Sequence, residues 1–309
     1  MKRLKPLLLF FLVIPFLTKA QDPSFTQIFE TPMYYNPAFA GFQENFRTGL
    51  QLRLQPLVGN AYVTVAASAD VGMPKINSGA GIMFTSSSYG FYTSTTIGGF
   101  YAYQIKLNTN SFLRLGINAG LFQRAYDYGV IDTLSAKNAP NAVQATPFIP
   151  NFGVGALYYN DKVYLGLAVY NLTQPDQSID GVLDPNATLY RRYDLQFGGF
   201  FKASGILLNP NLLVVSQGTF FQALPGISAS IGAFTLGTAV RIQANPNVES
   251  LNLLFGFTGA KVKFCYSYDL SLFNTGLSEG VHELTLILQM NKPHDTTEKP
   301  MIGFMRGAY

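Results

Sequence analysis

The stretch "KVKFCYSYDL", residues 261–270, decides how this chain is read. Val262, Phe264, Tyr266, Tyr268 and Leu270 fall on one side of an extended strand, and Lys261, Lys263, Cys265, Ser267 and Asp269 fall on the other. Successive side chains of a strand point to opposite faces, so one face is apolar and the other polar. The same alternation recurs in "FRTGLQLRLQ" (46–55), where Phe46, Leu50, Leu52 and Leu54 oppose Arg47, Gly49, Gln51, Arg53 and Gln55. It recurs again in "FLRLGINAGL" (112–121) and "HELTLILQM" (282–290). Such runs match the roughly 9–11 residues of a membrane-crossing strand.

Composition separates a membrane barrel from a soluble β-sandwich. Charged residues make up only 12% of the chain, against about 25% in a typical soluble domain. The outer face of a sandwich would carry more charge. Aromatics reach 14%. Beyond the first twenty residues no apolar run approaches the roughly 18 residues of a membrane-crossing helix. A closed barrel is the other structure that satisfies its backbone in lipid. The expected fold is therefore all-β, a transmembrane antiparallel β-barrel of about 14 strands. They fall near 46–55, 60–69, 78–87, 91–106, 111–124, 150–159, 162–170, 190–203, 209–217, 226–234, 235–243, 250–258, 261–271 and 281–290.

Connection lengths support the count. With the chain starting in the periplasm, odd-numbered connections face outward. The two longest, 125–149 and 171–189, are the fifth and seventh. The tight "NTNS", "NDK" and "TGAK" are the fourth, sixth and twelfth. Long external loops and short periplasmic turns are the asymmetry of outer-membrane barrels. With no Trp in the chain, an interfacial girdle must use Tyr and Phe. Tyr101, Tyr103, Tyr126, Tyr128, Tyr158 and Tyr159 cluster near strand ends.

Residues 1–20 read as a secretory signal peptide. Lys2, Arg3 and Lys5 precede an apolar stretch at 7–17, and Thr18-Lys19-Ala20 ends on a small residue. The expected organisation is then a signal peptide at 1–20, an N-terminal periplasmic or plug segment at 21–45, the barrel at 46–290 and a periplasmic tail at 291–309. The location is the outer membrane, after export. Four of the 21 basic residues lie in the leader, leaving 17 against 17 acidic residues. The basic isoelectric point is thus no argument for nucleic acid. A single cysteine, Cys265, excludes an intrachain disulfide and reads as inert packing.

The segment "QDPSFTQIFETPMYYNPAFAGF" (21–42) is too rich in proline for a central strand. Asp22 with Pro23 reads as the start of a short helix presenting Phe25, Ile28 and Phe29 on one face. Thr31-Pro32 would end that helix. Asn36-Pro37 and Gly41 make two further turns. With Tyr34 and Tyr35, these residues form a compact aromatic structure expected at the periplasmic mouth. Two roles stay open: a cap over apolar surface of the inner wall, or a plug or docking face.

Catalytic chemistry finds little support. The two histidines, His282 and His294, lack companions at metal-ligand spacing. No nucleophile-elbow motif surrounds a serine, and no Gly-rich loop reads as a phosphate cradle, so no enzyme, metal or cofactor is expected. The sequons at Asn171 and Asn186 read as chance matches. More informative is an ionisable set phased toward the lumen: Arg47, Arg53, Arg114, Asp194, Lys202, Arg241, Lys261, Lys263, Asp269 and Glu283. Its members either pair with one another or form a wall that binds an acidic plug or a passing polypeptide.

Two terminal motifs carry a family resemblance. "QDPSFTQ" (21–27), then "YYNPAFAG" (34–41), then an Arg-containing first strand resembles the PorP/SprF family of type IX secretion membrane proteins. "GVHELTLIL" (280–288) is similar to that family's closing strand. The resemblance implies an outer-membrane barrel working with type IX secretion components. It implies a partner such as a secreted surface protein or gliding adhesin that is exported or held at the surface. The partners expected are therefore outer-membrane lipid, a secreted surface protein and other secretion components. The alternative from the barrel alone is a diffusion pore or apolar-solute transporter.

Overall fold

A computed structural model describes residues 22–43, 45–57, 60–127, 143–178, 188–243, 248–272 and 280–290. The leader at 1–20 and the tail at 291–309 lie outside the described residues, as does Tyr128. The strands are β1 (Phe46–Leu57), β2 (Asn60–Met73), β3 (Ser78–Tyr89), β4 (Tyr92–Lys106), β5 (Ser111–Asp127), β6 (Val143–Ala145), β7 (Ile149–Asn160) and β8 (Val163–Tyr170). They continue as β9 (Arg192–Gly199), β10 (Phe201–Ala203), β11 (Ile206–Gln217), β12 (Phe220–Ile231), β13 (Phe234–Gln243), β14 (Val248–Thr258), β15 (Val262–Ser271) and β16 (Val281–Met290).

Every pairing is antiparallel, and β16 returns to pair with β1, Phe46 opposite Met290 and Leu54 opposite His282. The sheet has no edge. Strands β9 and β10 lie end to end along β11, separated at Phe200, and the short β6 pairs only with the end of β5. The result is a closed antiparallel barrel of 14 strands.

Alternation sets the two faces. On β1, Leu50 is 53% exposed while its neighbour Gln51 is 1% exposed. On β16, Leu284, Leu286 and Leu288 point outward while Glu283, Thr285 and Ile287 are buried inward. Burying a leucine is worth about 1.5–3 kcal/mol, so an outer face of this kind is stable in hydrocarbon rather than water. Tyr101 and Tyr103 are also outward-facing. Tyr159, next to the exposed wall, instead turns inward and stacks on Phe112.

Strand boundaries differ from expectation at two places. Strand β12 starts at Phe220 rather than near 226, because Gly218 adopts φ +58° in a two-residue turn that places Gln217 opposite Phe220. Pro225 interrupts the sequence pattern but costs no ladder bond, since the β12–β13 pairing skips it. The connection expected to span 125–149 is partly strand: β5 runs on to Asp127, and Val143–Ala145 pairs with it.

The two ends of the barrel differ. One carries tight connections at 107–110, 161–162, 204–205, 232–233 and 259–261, together with the start of β1 and the end of β16. The other carries the longest connections, after β5 and after β8. Between them the N-terminal segment runs inside the barrel. Its only regular elements are helix α1 (Pro32–Tyr35) and a 3-10 turn, Pro37–Phe39. Phe25, Ile28, Met33, Tyr35, Ala38, Phe39, Ala40 and Phe42 belong to one buried cluster with inward residues of the wall.

The helix expected to start at Asp22 is absent, and Thr31-Pro32 begins a helix instead of ending one. Pro32 takes the first helical position, where its missing N–H is no loss. Upstream, the groups a helix would have used are claimed by the wall. The Asp22 carboxylate meets Arg192 at 3.3 Å, and the Thr26 and Gln27 N–H groups donate to Glu283 at 2.9 and 2.8 Å. The turn at Asn36-Pro37 forms, with Asn36 Oδ1 accepting from the Ala38 N–H at 2.9 Å, and Gly41 makes its turn at φ +58°.

Candidate functional site: the occupied lumen

The segment folds back on itself inside the barrel, and its contacts fix its course. Asp22 and Ser24 lie at the long-connection end. Asp22 meets Asn171, Arg192 and Gln217, and Ser24 meets Gln222 and Arg241. Glu30 lies at the tight-turn end, where Lys263 Nζ is 2.7 Å away and Arg47 donates to the Glu30 carbonyl at 2.6 Å. The chain then climbs, so that Arg192 donates to the Tyr34 carbonyl at 2.5 Å and the Tyr170 hydroxyl donates to the Met33 carbonyl at 2.6 Å. It descends again to Ala40 and Gly41, beside Gly79 at the start of β3. The expected position at one mouth is thereby corrected: 22–42 runs through the lumen, as the plug alternative would have it, and its first described residue sits at the end opposite the start of β1.

Two polar clusters hold it. Strands β1, β13, β14, β15 and β16 supply the first. Arg53 reaches Glu283 at 2.9 Å and Asp269 at 3.4 Å, and Arg241 reaches Asp269 at 3.1 Å. Asn252 and Gln51 complete the carboxylates, at 2.5 Å to Asp269 and 2.7 Å to Glu283. The Thr26 hydroxyl donates to Asp269 at 2.8 Å, and the Gln27 amide donates to Ser267 at 3.0 Å. A buried charge left without partners costs several kcal/mol. Here each carboxylate faces a guanidinium and also takes hydrogen bonds from the segment, so wall and segment complete one another.

Arg192 centres the second cluster. It pairs with Asp194 at 3.0 Å and Asp22 at 3.3 Å, between the rings of Tyr34 and Tyr170, each 4.6 Å away. Lower down, Arg114, 1% exposed, donates to the Ala38 carbonyl at 2.9 Å and the Ala40 carbonyl at 2.5 Å. Asn36 spans to Gln196 at 3.1 Å, which donates in turn to the Tyr35 carbonyl at 2.9 Å. Inside the segment, Tyr34 donates to the Pro23 carbonyl and Tyr35 to the Phe25 carbonyl.

Close approach of two backbones explains inward glycines. A Cβ at Gly116 would sit 2.2 Å from the Ala38 nitrogen, and one at Gly79 would sit 2.2 Å from the Ala40 carbonyl oxygen. Only a bare backbone fits there.

Of the residues singled out from the sequence, Asp22, Pro23, Phe25, Tyr34, Tyr35, Asn36, Pro37 and Gly41 all lie in this segment. Arg47, Arg53, Arg114, Asp194, Arg241, Asp269 and Glu283 are buried on the inner wall, and Lys263 borders Glu30. Lys202 and Lys261 do not join them; both are exposed beside tight turns, where the strand runs out. Sequence reasoning missed Thr26, Gln27, Arg192 and Asn252. Arg192 shares the inward phase of Asp194, two residues on, so the alternation held a signal for it. Thr26 and Gln27 close the "QDPSFTQ" motif, but no pattern in the sequence pointed to their partners on the wall.

Comparison with known proteins places the chain. A family described as "Type IX secretion system membrane protein PorP/SprF" matches residues 17–288. No curated protein matches the chain. Among solved structures, the toluene transporter TbuX of Ralstonia pickettii is similar at 10% identity, over 85% of this chain and 94% of that one, with a TM-score of 0.57. A Pseudomonas aeruginosa FadL homologue is 13% identical over the same shares, with a TM-score of 0.48. At 10% identity the likeness to TbuX is one of fold.

Proposed function

The chain belongs to the PorP/SprF family of type IX secretion system membrane proteins, and we propose that it is a non-enzymatic outer-membrane accessory that supports export or surface holding of a partner protein. A gliding adhesin is the kind of partner meant. The observation that carries this reading is the occupied lumen. A segment tied to opposite walls by Glu283 and Arg192 runs through the lumen among the described residues. A barrel filled in this way would work through its ends. The end with long connections would face outward and present 125–149 and 171–189 to the partner, of which 128–142 and 179–187 lie outside the described residues. The tight-turn end would meet the periplasmic secretion components. A signal peptide at 1–20 would deliver the chain for insertion.

Affinity capture of the full-length protein from gently solubilised outer membranes, read by mass spectrometry, tests this. A large secreted surface protein among the captured species supports the reading. Its loss on replacing exposed described residues at the long-connection end, such as Arg191, Thr173 and Asp176, would locate the contact. Capture of periplasmic components alone would instead make the protein part of the machinery.

A second reading, a diffusion pore or apolar-solute transporter, is favoured by space left on both sides of the segment. One cavity lies beside β3 and β4 toward the long-connection end, and another lies beside β11 to β14 toward the tight turns. Planar-bilayer conductance separates the readings. Silence of the intact protein fits the closed accessory, and steady open current fits the channel.

A further inference from the structure

We propose that the tight-turn mouth of the barrel is a docking face for an acidic polypeptide, held by a collar of lysines. The proposal rests on the reading that this end meets other secretion components, and it names the chemistry by which it would do so.

The turns build the collar. Lys75, Lys106, Lys162, Lys202 and Lys261 are all exposed, and they lie in or beside the connections after β2, β4, β7, β10 and β14. None of them forms an ion pair among the described residues. The described carboxylates at this end are Asp70 and Glu30, buried and already paired with Arg47 and Lys263, and the exposed Asp161. At the opposite end the exposed charges among the described residues, Asp176 and Arg191, balance. The tight-turn end is therefore the one with a field of a single sign, which draws in and orients an oppositely charged surface.

Strand phase separates a polypeptide from the other anionic surface nearby, phospholipid headgroups. Ile105, Phe201 and Val262 are outward residues, each more than a third exposed on the lipid face. Their chain neighbours Lys106, Lys202 and Lys261 stand on the inward phase, over the mouth rather than against the bilayer. Spread over separate connections, the lysines offer a small anion a fraction of their charge and a polypeptide face all of it. The segment inside the barrel shows the contact in miniature. Its Glu30, at the same mouth, is held at 2.7 Å by Lys263, which shares the inward phase of Lys261 two residues away.

The test is fluorescence anisotropy of a labelled decaglutamate peptide with the full-length protein in detergent. Extended, the peptide reaches about 33 Å, long enough to meet more than one turn. It should bind with Kd below about 100 μM at about 50 mM salt, and at least tenfold more weakly at about 500 mM salt. The triple variant Lys106→Gln, Lys202→Gln, Lys261→Gln should weaken binding at least tenfold while still migrating as a folded barrel on unheated gels. Arg191→Gln, at the other end, should leave it unchanged. In captures from outer membranes, the triple variant should recover at least tenfold less of the periplasmic secretion components. The proposal is overturned if decaglutamate binds no tighter than about 1 mM at low salt, or if the triple variant binds it as well as the intact protein does. It is also overturned if the triple variant loses co-purifying phosphatidylglycerol instead, which would make the collar a lipid contact. Equal capture of secretion components by the intact protein and the triple variant overturns the collar and leaves the accessory reading standing. Capture of none by the intact protein removes that reading, and the decaglutamate titrations then decide the collar alone.

Discussion

Glu283 is the residue on which the lumen turns. It accepts from two backbone N–H groups of the segment, from Gln51 and from Arg53, and it is 1% exposed. Removing it leaves Arg53 facing Asp269 alone and strands two buried N–H donors. Breaking one side of a buried pair costs about 3–5 kcal/mol. Glu283→Ala should therefore lower the temperature at which the barrel loses its folded migration on gels, and should expose the bonds around Thr26 to protease. Unchanged protease resistance would show that the segment is held elsewhere. Gly116 makes the complementary case through shape. Gly116→Val puts atoms where Pro37 and Ala38 already lie, so it should release the segment without touching any charge. Arg192 and Glu283 were both within reach of the alternation rule, which assigns a face without assigning a partner. Thr26 was not, because a single threonine in a loop announces nothing until the carboxylate opposite it is known.

Elements were legible in proportion to how far their own pattern decided them. Strands such as β15 and β16 bury one face and show the other to lipid, so a period of two is written along their whole length. Strand β12 was misplaced at its start because Pro225 resembles a breaker, and only the skipped β12–β13 pairing makes it harmless. The N-terminal segment failed further. Its local signals, Asp22 before Pro23 and apolar residues at helical spacing, specify a helix if nothing else competes. The wall competes: Arg192 takes the carboxylate, and Glu283 takes the N–H groups a first turn would need. Tertiary hydrogen bonds of this kind outweigh a propensity of under 1 kcal/mol per residue. Because the segment draws its order from the wall rather than supplying order to it, deleting 22–40 should leave an inserted barrel. The 14 strands keep their closed ladder, and water replaces the lost partners of Arg53, Arg114 and Arg241. The deleted protein should conduct in planar bilayers where the intact one is silent. Loss of folded migration on deletion would instead make the segment part of the barrel's core.

At the scale of the whole molecule, the course of the chain carries its own consequence. Thr26 bonds to Glu283, 257 residues away, and Asp22 bonds to Gln217, 195 residues away. The segment therefore has no complete binding surface until both halves of the barrel exist, and it docks last. It also docks with Asp22 at the end that carries the long connections, while β1 begins at the other. If long connections face outward, the start of the described chain lies toward the cell exterior although the first strand starts from the periplasm. A short epitope inserted between Gln21 and Asp22 should then bind antibody on intact cells. The same epitope inserted between Ser204 and Gly205, at a tight turn where a side chain meets open space, should bind only after the outer membrane is permeabilised. The reverse pattern would invert the barrel in the membrane and move the partner surface to the short turns.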